Sequence, residues 1–275
     1  MKKTLVAILF AAMAIYGCSS DDGGSAGTGG SAGTGGSAGT GGSAGTGGSA
    51  GTGGSAGMGG EGGMGGSAGM GGMTGEVVYE QDFESLDQAS TTALGDAGFL
   101  VFGTEYNADG SVFNAYGPFP APNNIAAPAF CLIADGEGGP DQGTQQVVIF
   151  SDYQNRGAMM AGRVVEALTF QERTIMAADV GKTFVFSFDA KRGDIGGDST
   201  AFAFIKTIDP ANNFDQTNFV PVDTTDLPTT WGSLDVSLEI IPELEDQLIQ
   251  FGFGATATND EPSGVFYDNM LVELQ

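Results

Sequence analysis

Apolar and polar residues alternate along much of the chain after residue 76, which is the period of a β-strand with one buried face. Phe184, Phe186 and Phe188 share one face of such a strand, and residues 234–240 and 249–255 show the same alternation. Gly, Pro, Asn and Asp residues cluster between these runs and favour turns there. The pattern predicts an all-β domain, a two-sheet antiparallel β-sandwich of the jelly-roll type.

Two segments and one aromatic residue are interpreted separately from these strands. Residues 164–179 are predicted to form the one short helix of the domain. Residues 106–130, which are rich in Pro and Asn, are interpreted as a long loop. Trp231 directly precedes an alternating run and is expected to pack in the core.

The start of the chain has the layout of a bacterial export signal. Two lysines precede an apolar run, residues 5–15, that is short for a membrane span. The tetrad 15–18, Ile-Tyr-Gly-Cys, resembles the lipobox of bacterial lipoproteins, although a residue smaller than Tyr16 is usual there. The resemblance implies a lipoprotein signal peptide over residues 1–17 and a lipidated Cys18. Because serine follows the cysteine, it also implies anchoring in the outer membrane of a Gram-negative bacterium. The alternative is an ordinary secreted protein that is cleaved nearby.

Glycine-rich hexads occupy residues 23–73, where Gly-Gly-Ser-Ala-Gly-Thr recurs five times before it drifts toward Met-containing variants. Such a segment buries too little apolar surface to offset the entropy lost on ordering, which predicts a disordered linker over residues 18–75. A flexible coil of about fifty residues has an r.m.s. span of roughly 40 Å, enough to lift a domain clear of a lipid surface. The predicted jelly-roll domain then occupies residues 76–275.

Charge and composition exclude several classes of function. The chain has 9 Lys and Arg residues against 34 Asp and Glu, a net charge of −25 that repels nucleic acid. It has no histidine, so histidine-rich zinc sites and Ser-His-Asp or Cys-His catalytic groups cannot be built from this chain alone. Cys18 belongs to the predicted cleavage site and Cys131 lies in an apolar run, so no intrachain disulfide is expected.

The end of the chain carries a carboxylate within an apolar pattern. Asp268 has the same parity as Met270 and Val272, so it must be paired, protonated or bound to a cation if that face is buried. Glu84 follows the first predicted strand, and the first and last strands of a sandwich are commonly neighbours. We therefore expect Glu84 and Asp268 to hold Ca²⁺ together with backbone carbonyls, since only oxygen ligands are present. The alternative is a solvated Glu84, with Asp268 capping a backbone amide or pairing with an arginine such as Arg163.

Several short segments are similar to one known family. They are Asp82-Phe83-Glu84, residues 163–165, residues 181–191, Trp231 and residues 265–272. Together they resemble the carbohydrate-binding modules of the galactose-binding-like jelly-roll type, over most of residues 76–275. The resemblance implies a jelly-roll fold, a structural Ca²⁺ at Glu84 and Asp268, and an extracellular glycan as partner.

Aromatic and planar polar side chains are the groups that bind sugar rings and hydroxyls. The candidates lie in the 106–130 segment and shortly after residue 150: Tyr106, Asn107, Tyr116, Tyr153, Asn155 and Arg156. The predicted function is non-catalytic binding of an extracellular glycan by a surface-tethered module. Two alternatives stay open, namely a structural or adhesion lipoprotein that binds no sugar, and a jelly-roll glycoside hydrolase or lyase. A hydrolase requires two carboxylates placed across a cleft.

Overall fold

The computed structural model describes residues 75–125, 128–152, 157, 161–258 and 261–275. The helical segments with described bounds are α1 (Ala93–Asp96) and short 3₁₀ turns at Ala177–Asp179, Pro210–Asn212 and Pro242–Leu244. None of these helices is long and apolar enough to cross a membrane. Several predictions concern residues outside these ranges: the signal peptide, Cys18, the glycine hexads, Tyr153, Asn155 and Arg156.

Six strands form the first sheet: β1 (Glu76–Gln81), β4 (Cys131–Asp135), β5 (Gln145–Ile149), β7 (Thr183–Ile195), β10 (Gly232–Glu239) and β12 (Ser263–Leu274). Their order is β10-β7-β12-β5-β4, and β1 also pairs with β12. Every pairing in this sheet is antiparallel. The first and last strands of the domain are therefore neighbours, as the sequence predicts.

Six strands also form the second sheet: β2 (Leu100–Tyr106), β3 (Val112–Pro120), β6 (Val164–Thr174), β8 (Thr200–Asp209), β9 (Asp215–Asp223) and β11 (Leu248–Thr258). Their order is β3-β2-β6-β11-β8-β9, again with antiparallel pairing throughout. The two sheets confirm the predicted antiparallel β-sandwich.

Aromatic rings from both sheets meet in the core between them. Phe186 and Phe188 of β7 are buried, as are Phe251 and Phe253 of β11. The ring centroids of Phe186 and Phe251 lie 5.4 Å apart, and those of Phe188 and Phe253 lie 5.2 Å apart. Burial of each such side chain contributes about 1.5–3 kcal/mol, so this ring layer is a main source of stability. It places one face of each strand inside and leaves the other face for solvent or ligand.

The predicted helix over residues 164–179 is wrong. Residues Val164–Thr174 form β6 of the second sheet, and a 3₁₀ turn follows at Ala177–Asp179. β6 carries apolar side chains on both sides, with Ala167 in the main core and Leu168 and Phe170 on the outer side. A strand that is apolar on both faces lacks the period-two signal, so its sequence alone does not distinguish it from a buried helix.

Two further expectations differ from the structure. Val112–Pro120 lies within the segment interpreted as a loop, yet it forms β3 at the edge of the second sheet. Proline is tolerated there because one side of an edge strand has no partner. Trp231 is partly exposed rather than packed in the core, and its indole N–H donates to the Glu137 carbonyl at 2.9 Å. The tryptophan therefore holds the loop between β4 and β5 against the first sheet.

Candidate functional site

The carboxylate predicted to bind a cation lies where β12 changes its neighbour. Along one side of β12, β5 pairs with residues 265–267 and β1 pairs with residues 270–274. Between these pairings the register of β12 against β7 shifts, and Asn269 adopts a φ of 47°. This bulge changes the parity of the strand, so that Tyr267 and Met270 both face the core. The expectation that Asp268 shares the face of Met270 is therefore wrong, because Asp268 lies on the outer side.

Asp268 is buried even on the outer side, with 1% of its surface exposed. Its Oδ1 accepts the backbone N–H of Asn269 at 2.7 Å, whereas its Oδ2 has no hydrogen-bond partner among the described residues. Burial raises the pKa of this carboxyl to about 7, the Asn269 N–H opposes that rise, and the charges of Asp189, Glu84 and Asp82 add to it. The structure thus brings Glu84 and Asp268 close enough to repel each other electrostatically.

The loop between β4 and β5 holds Glu84 in place at this position. The backbone N–H groups of Thr144 and Gln145 both donate to Glu84 Oε1, at 2.6 Å each. Gly143 has a φ of 58°, and a Cβ there would lie 2.5 Å from the same Oε1, so a glycine lets the loop close on the glutamate. Gln142 of this loop has a buried Oε1 that lacks a partner within the described ranges.

The groups at this position that could hold a metal are all oxygens. No three Asp, Glu, His or Cys side chains in the described part of the chain are grouped so as to hold an ion by themselves. A cation would therefore combine Glu84 and Asp268 with amide or carbonyl oxygens, such as Gln142 Oε1. Oxygen shells of this kind suit Ca²⁺ better than zinc, and the orphaned Asp268 Oδ2 fits such an ion. Arg163, the alternative partner for Asp268, is paired instead with Glu105 at 3.3 Å.

A second apolar layer lies on the outer side of the second sheet, separate from the main core. Its members comprise buried Leu168, Phe170 and Phe204 and partly buried Leu100, Phe102, Phe202 and Phe219. We call this surface the aromatic face. The solvent side of an antiparallel sheet is normally polar, so a contiguous apolar cluster there is a candidate binding surface.

Two glycines of β11 form the floor of the aromatic face. Gly252 lies in register between Phe170 and Phe204, and Gly254 lies beside Phe202. A Cβ on Gly254 would lie 2.4 Å from the ring of Phe202, so this ring covers bare backbone. The glycines therefore allow bulky rings on the neighbouring strands to close over β11.

Polar side chains flank these rings. Toward one end of the aromatic face, the Tyr106 hydroxyl donates to Glu166 Oε1 at 3.3 Å. Burial raises the pKa of Glu166, while the charge of Lys206 and the Tyr106 hydroxyl lower it. Toward the other end, Gln250 Nε2 donates to Glu172 Oε2 at 2.6 Å. The surface thus combines aromatic rings with hydrogen-bonding groups.

Lys206 extends over the rings between these polar groups. Its Nζ lies 5.7 Å from the ring centroid of Phe170 and 5.8 Å from that of Phe204, within the range of cation–π attraction. Burial lowers the pKa of the ammonium from its ordinary 10.5 to about 8, and the charges of Glu166 and Glu172 oppose that fall. At neutral pH the aromatic face therefore carries one ammonium under the influence of two carboxylates.

Three of the predicted sugar-binding residues lie in the described ranges, and the structure does not bring them together. Tyr106 lies at the end of the aromatic face. Asn107 lies in the turn between β2 and β3, where its Nδ2 donates to Ser111 Oγ at 3.1 Å. Tyr116 packs against the main core on the opposite side of the sheet, and its hydroxyl donates to Asp152 Oδ2 at 2.9 Å.

The aromatic face itself was not identified by sequence reasoning. Alternation at Phe202 and Phe204 predicts a strand, but it does not tell which side of the strand faces the core. A usable signal lies in β11, where Gly252 and Gly254 alternate with buried phenylalanines. A strand with rings on one side and bare backbone on the other implies that side chains of its neighbours cover the glycines.

No family model and no curated protein matches this chain. Among solved structures, one that is similar is the enzymatically active domain of bacteriophage CBA120 tailspike protein 4, at 12% identity and a TM-score of 0.40, with 70% of this chain and 21% of that chain covered. The Clostridium thermocellum xylanase 10B CBM22-1–GH10 modules match at 11% identity and a TM-score of 0.39, covering 72% of this chain and 28% of theirs. The CBM22-1 xylan-binding domain of Paenibacillus barcinonensis Xyn10C matches at 10% identity and a TM-score of 0.38, with 73% of this chain and 95% of that chain covered.

This chain spans less than a third of the length of the first two of these structures. Identities of 10–12% and TM-scores of 0.38–0.40 carry no argument about what this chain binds. The strand pairings and side-chain contacts of the chain itself define the β-sandwich and the two candidate sites.

Proposed function

We propose that the aromatic face is a non-catalytic binding surface for an extracellular glycan. The observation that carries this proposal is the outward aromatic cluster, whose partly buried rings lie beside hydrogen-bonding side chains. Sugar rings have apolar faces that stack on aromatic side chains, and their hydroxyls require placed polar partners. Both kinds of group are present on one side of the second sheet.

The carboxylates of the aromatic face are not spaced for glycoside hydrolysis. Glu166 and Glu172 lie on the same strand, β6, and a separation of six residues puts their backbones about 20 Å apart. Hydrolases that use two carboxyl groups place them roughly 5–9.5 Å apart. This spacing supports binding without bond cleavage.

We propose further that Ca²⁺ binds at Glu84 and Asp268 and stabilises the fold. The support is the buried Asp268 Oδ2, which has no hydrogen-bond partner in the described part of the chain and lies at the junction of β1, β5 and β12. A bound ion would supply positive charge that neutralises the repulsion between the carboxylates. Glu84 and Asp268 would then link the end of β1, the start of β5 and the bulge of β12.

We also propose that the module is tethered through a lipidated Cys18 and the glycine-rich linker, in the outer membrane of a Gram-negative bacterium. The lipobox-like tetrad before Cys18 and the hexads that follow support this arrangement. Lipidation with more than one acyl chain would make the anchoring stable.

The glycan proposal is tested by screening the full chain on a glycan array and measuring each hit by isothermal titration calorimetry. Phe219→Ala removes a partly buried ring of the aromatic face, and we expect about a tenfold loss of affinity, or 1.4 kcal/mol. Phe266→Ala, which removes a partly exposed ring from the first sheet, is the matched control and should bind normally. An array without any hit, or equal binding by Phe219→Ala and the wild type, would overturn the proposal.

A further inference from the structure

Two neighbouring residues on the aromatic face have unused hydrogen-bonding capacity. Gln250 of β11 and Lys206 of β8 are register partners and lie on the same side of the sheet. Gln250 is 4% exposed; its Nε2 is bonded to Glu172, and its Oε1 has no partner among the described residues. Lys206 forms no ion pair with any residue in those ranges, and its ammonium lies over phenyl rings. A spare acceptor therefore lies on the strand next to a spare donor.

A hydroxyl group is the ligand that suits this arrangement. It donates its proton to an acceptor such as Gln250 Oε1, and its oxygen accepts a hydrogen bond from an ammonium such as Lys206. A carboxylate only accepts hydrogen bonds, so it would leave the buried Gln250 Oε1 unpaired and add a repulsive oxygen beside it. A site that leaves a buried polar group unpaired rejects the mismatched ligand strongly.

The charges near Lys206 also disfavour an anionic ligand. Glu166 and Glu172 both act on the ammonium electrostatically, so its positive charge is already compensated within the protein. The chain as a whole carries a net charge of −25, which repels a polyanion during approach. The carboxylates near Lys206 and the net charge of the chain therefore both disfavour an anionic ligand.

We propose that Lys206 and Gln250 bind a sugar hydroxyl between them and that the aromatic face selects neutral glycans over glycans made of uronic acids. This inference rests on the proposed glycan binding and specifies its ligand class. Lys206 and Gln250 set the specificity, while the aromatic rings provide the stacking surface.

Matched pairs of ligands test the selection by charge. The probes are hexasaccharides of β-glucan, mannan and galactan, each paired with the same oligosaccharide after oxidation of its primary alcohols to carboxylates. The affinity of the full chain is measured by calorimetry at low and at high salt. For the pair that binds, we expect the affinity for the oxidised member to be at least tenfold lower than that for the neutral member at low salt. Part of this difference should remain at high salt, because salt does not screen a hydrogen-bond mismatch.

Three variants separate the roles of these residues. Lys206→Met and Gln250→Met each remove one hydrogen-bonding group and keep an apolar side chain of similar length, so each should weaken the neutral ligand at least fivefold. Glu172→Gln removes one negative charge, and the new amide oxygen can still accept the hydrogen bond from Gln250. This variant should therefore reduce the difference in affinity between the neutral and the oxidised ligand. Lys182→Met, which removes a lysine from the turn before β7, should match the wild type.

The outcomes distinguish this inference from the proposal on which it depends. If the neutral and oxidised ligands bind within twofold of each other, or the oxidised ligand binds more tightly, the selection for neutral glycans is overturned. If Lys206→Met and Gln250→Met remain folded by circular dichroism and bind like the wild type, the assignment of these two residues is overturned while glycan binding stands. If the wild type binds no member of any pair and no glycan on the array, both proposals fall.

Discussion

At the scale of single residues, each candidate site contains a buried oxygen without a hydrogen-bond partner among the described residues, as Tyr79, Thr169 and Ser199 do elsewhere. Asp268 Oδ2 lies at the proposed calcium site and Gln250 Oε1 lies on the aromatic face. Leaving a buried acceptor unsatisfied costs about 1–3 kcal/mol, and more for a charged group. Such atoms are expected where an ion or a ligand completes the hydrogen bonding that the chain leaves open.

Asp268→Asn is expected to abolish the stabilisation of the protein by calcium. An ion that binds only the folded state stabilises it by about 2.7 kcal/mol when its concentration is a hundred times Kd. The amide lacks the charge that holds the ion. In the absence of calcium, the neutral amide removes the electrostatic repulsion between residue 268 and the neighbouring carboxylates. The variant should therefore be at least as stable as the wild type in EDTA. Differential scanning calorimetry with and without calcium measures both effects.

The control for that experiment is Asp235→Asn, which alters an exposed aspartate of β10 and should keep the full calcium-dependent rise in Tm. If calcium raised the Tm of Asp268→Asn as much as that of the wild type, calcium would bind at a site other than Asp268.

Lys206 predicts a pH dependence of stability. Its pKa falls from 10.5 to about 8 on folding, so between these values the unfolded chain binds more protons than the folded one. Stability contributed by this residue therefore rises with pH from about 8 to 10.5. The margin of Lys206→Met over the wild type in free energy of unfolding should shrink by about 3 kcal/mol between pH 7 and pH 10.5. Urea denaturation across this range measures the margin.

Lys182→Met provides the comparison for this titration, because Lys182 lies in the turn before β7 and pairs with Glu76 at 3.2 Å near the surface. A pH dependence of stability that both lysine variants share would not be specific to Lys206. A margin for Lys206→Met that is constant from pH 7 to 10.5 would contradict a lowered pKa at Lys206.

At the scale of elements, the composition of β11 shapes the aromatic face. Its phenylalanines fill the core, while Gly252 and Gly254 leave the outer side open to rings from β6 and β8. This arrangement lets one strand support two apolar layers. In the first sheet, the bulge of β12 determines the position of Asp268. It places this residue on the outer side, between the segment of β12 that pairs with β5 and the segment that pairs with β1.

Gly254→Ala is expected to destabilise the protein by about 1–3 kcal/mol, as overpacking of a filled site does. The new Cβ would lie 2.4 Å from the ring of Phe202 and 2.8 Å from Leu168 Cδ2, so both side chains must move. Gly232→Ala is the control, since no atom lies within 4 Å of its Cβ position. Chemical denaturation measures both variants, and equal stability of Gly254→Ala and the wild type would mean that the rings do not close over β11.

At the scale of the whole molecule, the sandwich places its two candidate sites on different sheets. The proposed calcium site belongs to the first sheet and the aromatic face to the outer side of the second. The proposed ion site and the proposed glycan surface therefore use different side chains, so we expect calcium to act on stability. The strong negative charge of the chain favours solubility and opposes binding to acidic polymers.

Cys18→Ala is expected to prevent lipidation of the full chain in a Gram-negative host. Metabolic labelling with a tagged palmitate should label the wild type, which should fractionate with the outer membrane, and should leave the variant unlabelled. Cys131→Ala alters the other cysteine, which is buried in the domain, and should keep the label. An unlabelled, soluble wild type would instead indicate ordinary secretion.

The amino-acid sequence by itself determined the class of fold and the pairing of the terminal strands. Alternation such as that of Phe184, Phe186 and Phe188 is a local property, and it survives in β7 as the buried face of a strand. The placement of Glu84 near Asp268 followed from the general tendency of first and last strands to pair. Both inferences need only local periodicity and chain topology.

Only the tertiary structure decided which apolar residues form the core and which form the aromatic face. The sequence records that Phe170 or Phe204 is apolar, but burial depends on the strands that lie beside it. The same holds for Asp268, because its outward position depends on a bulge where two different strands pair with β12. Long-range pairing sets these features, so no local pattern of hydrophobic and polar residues encodes them.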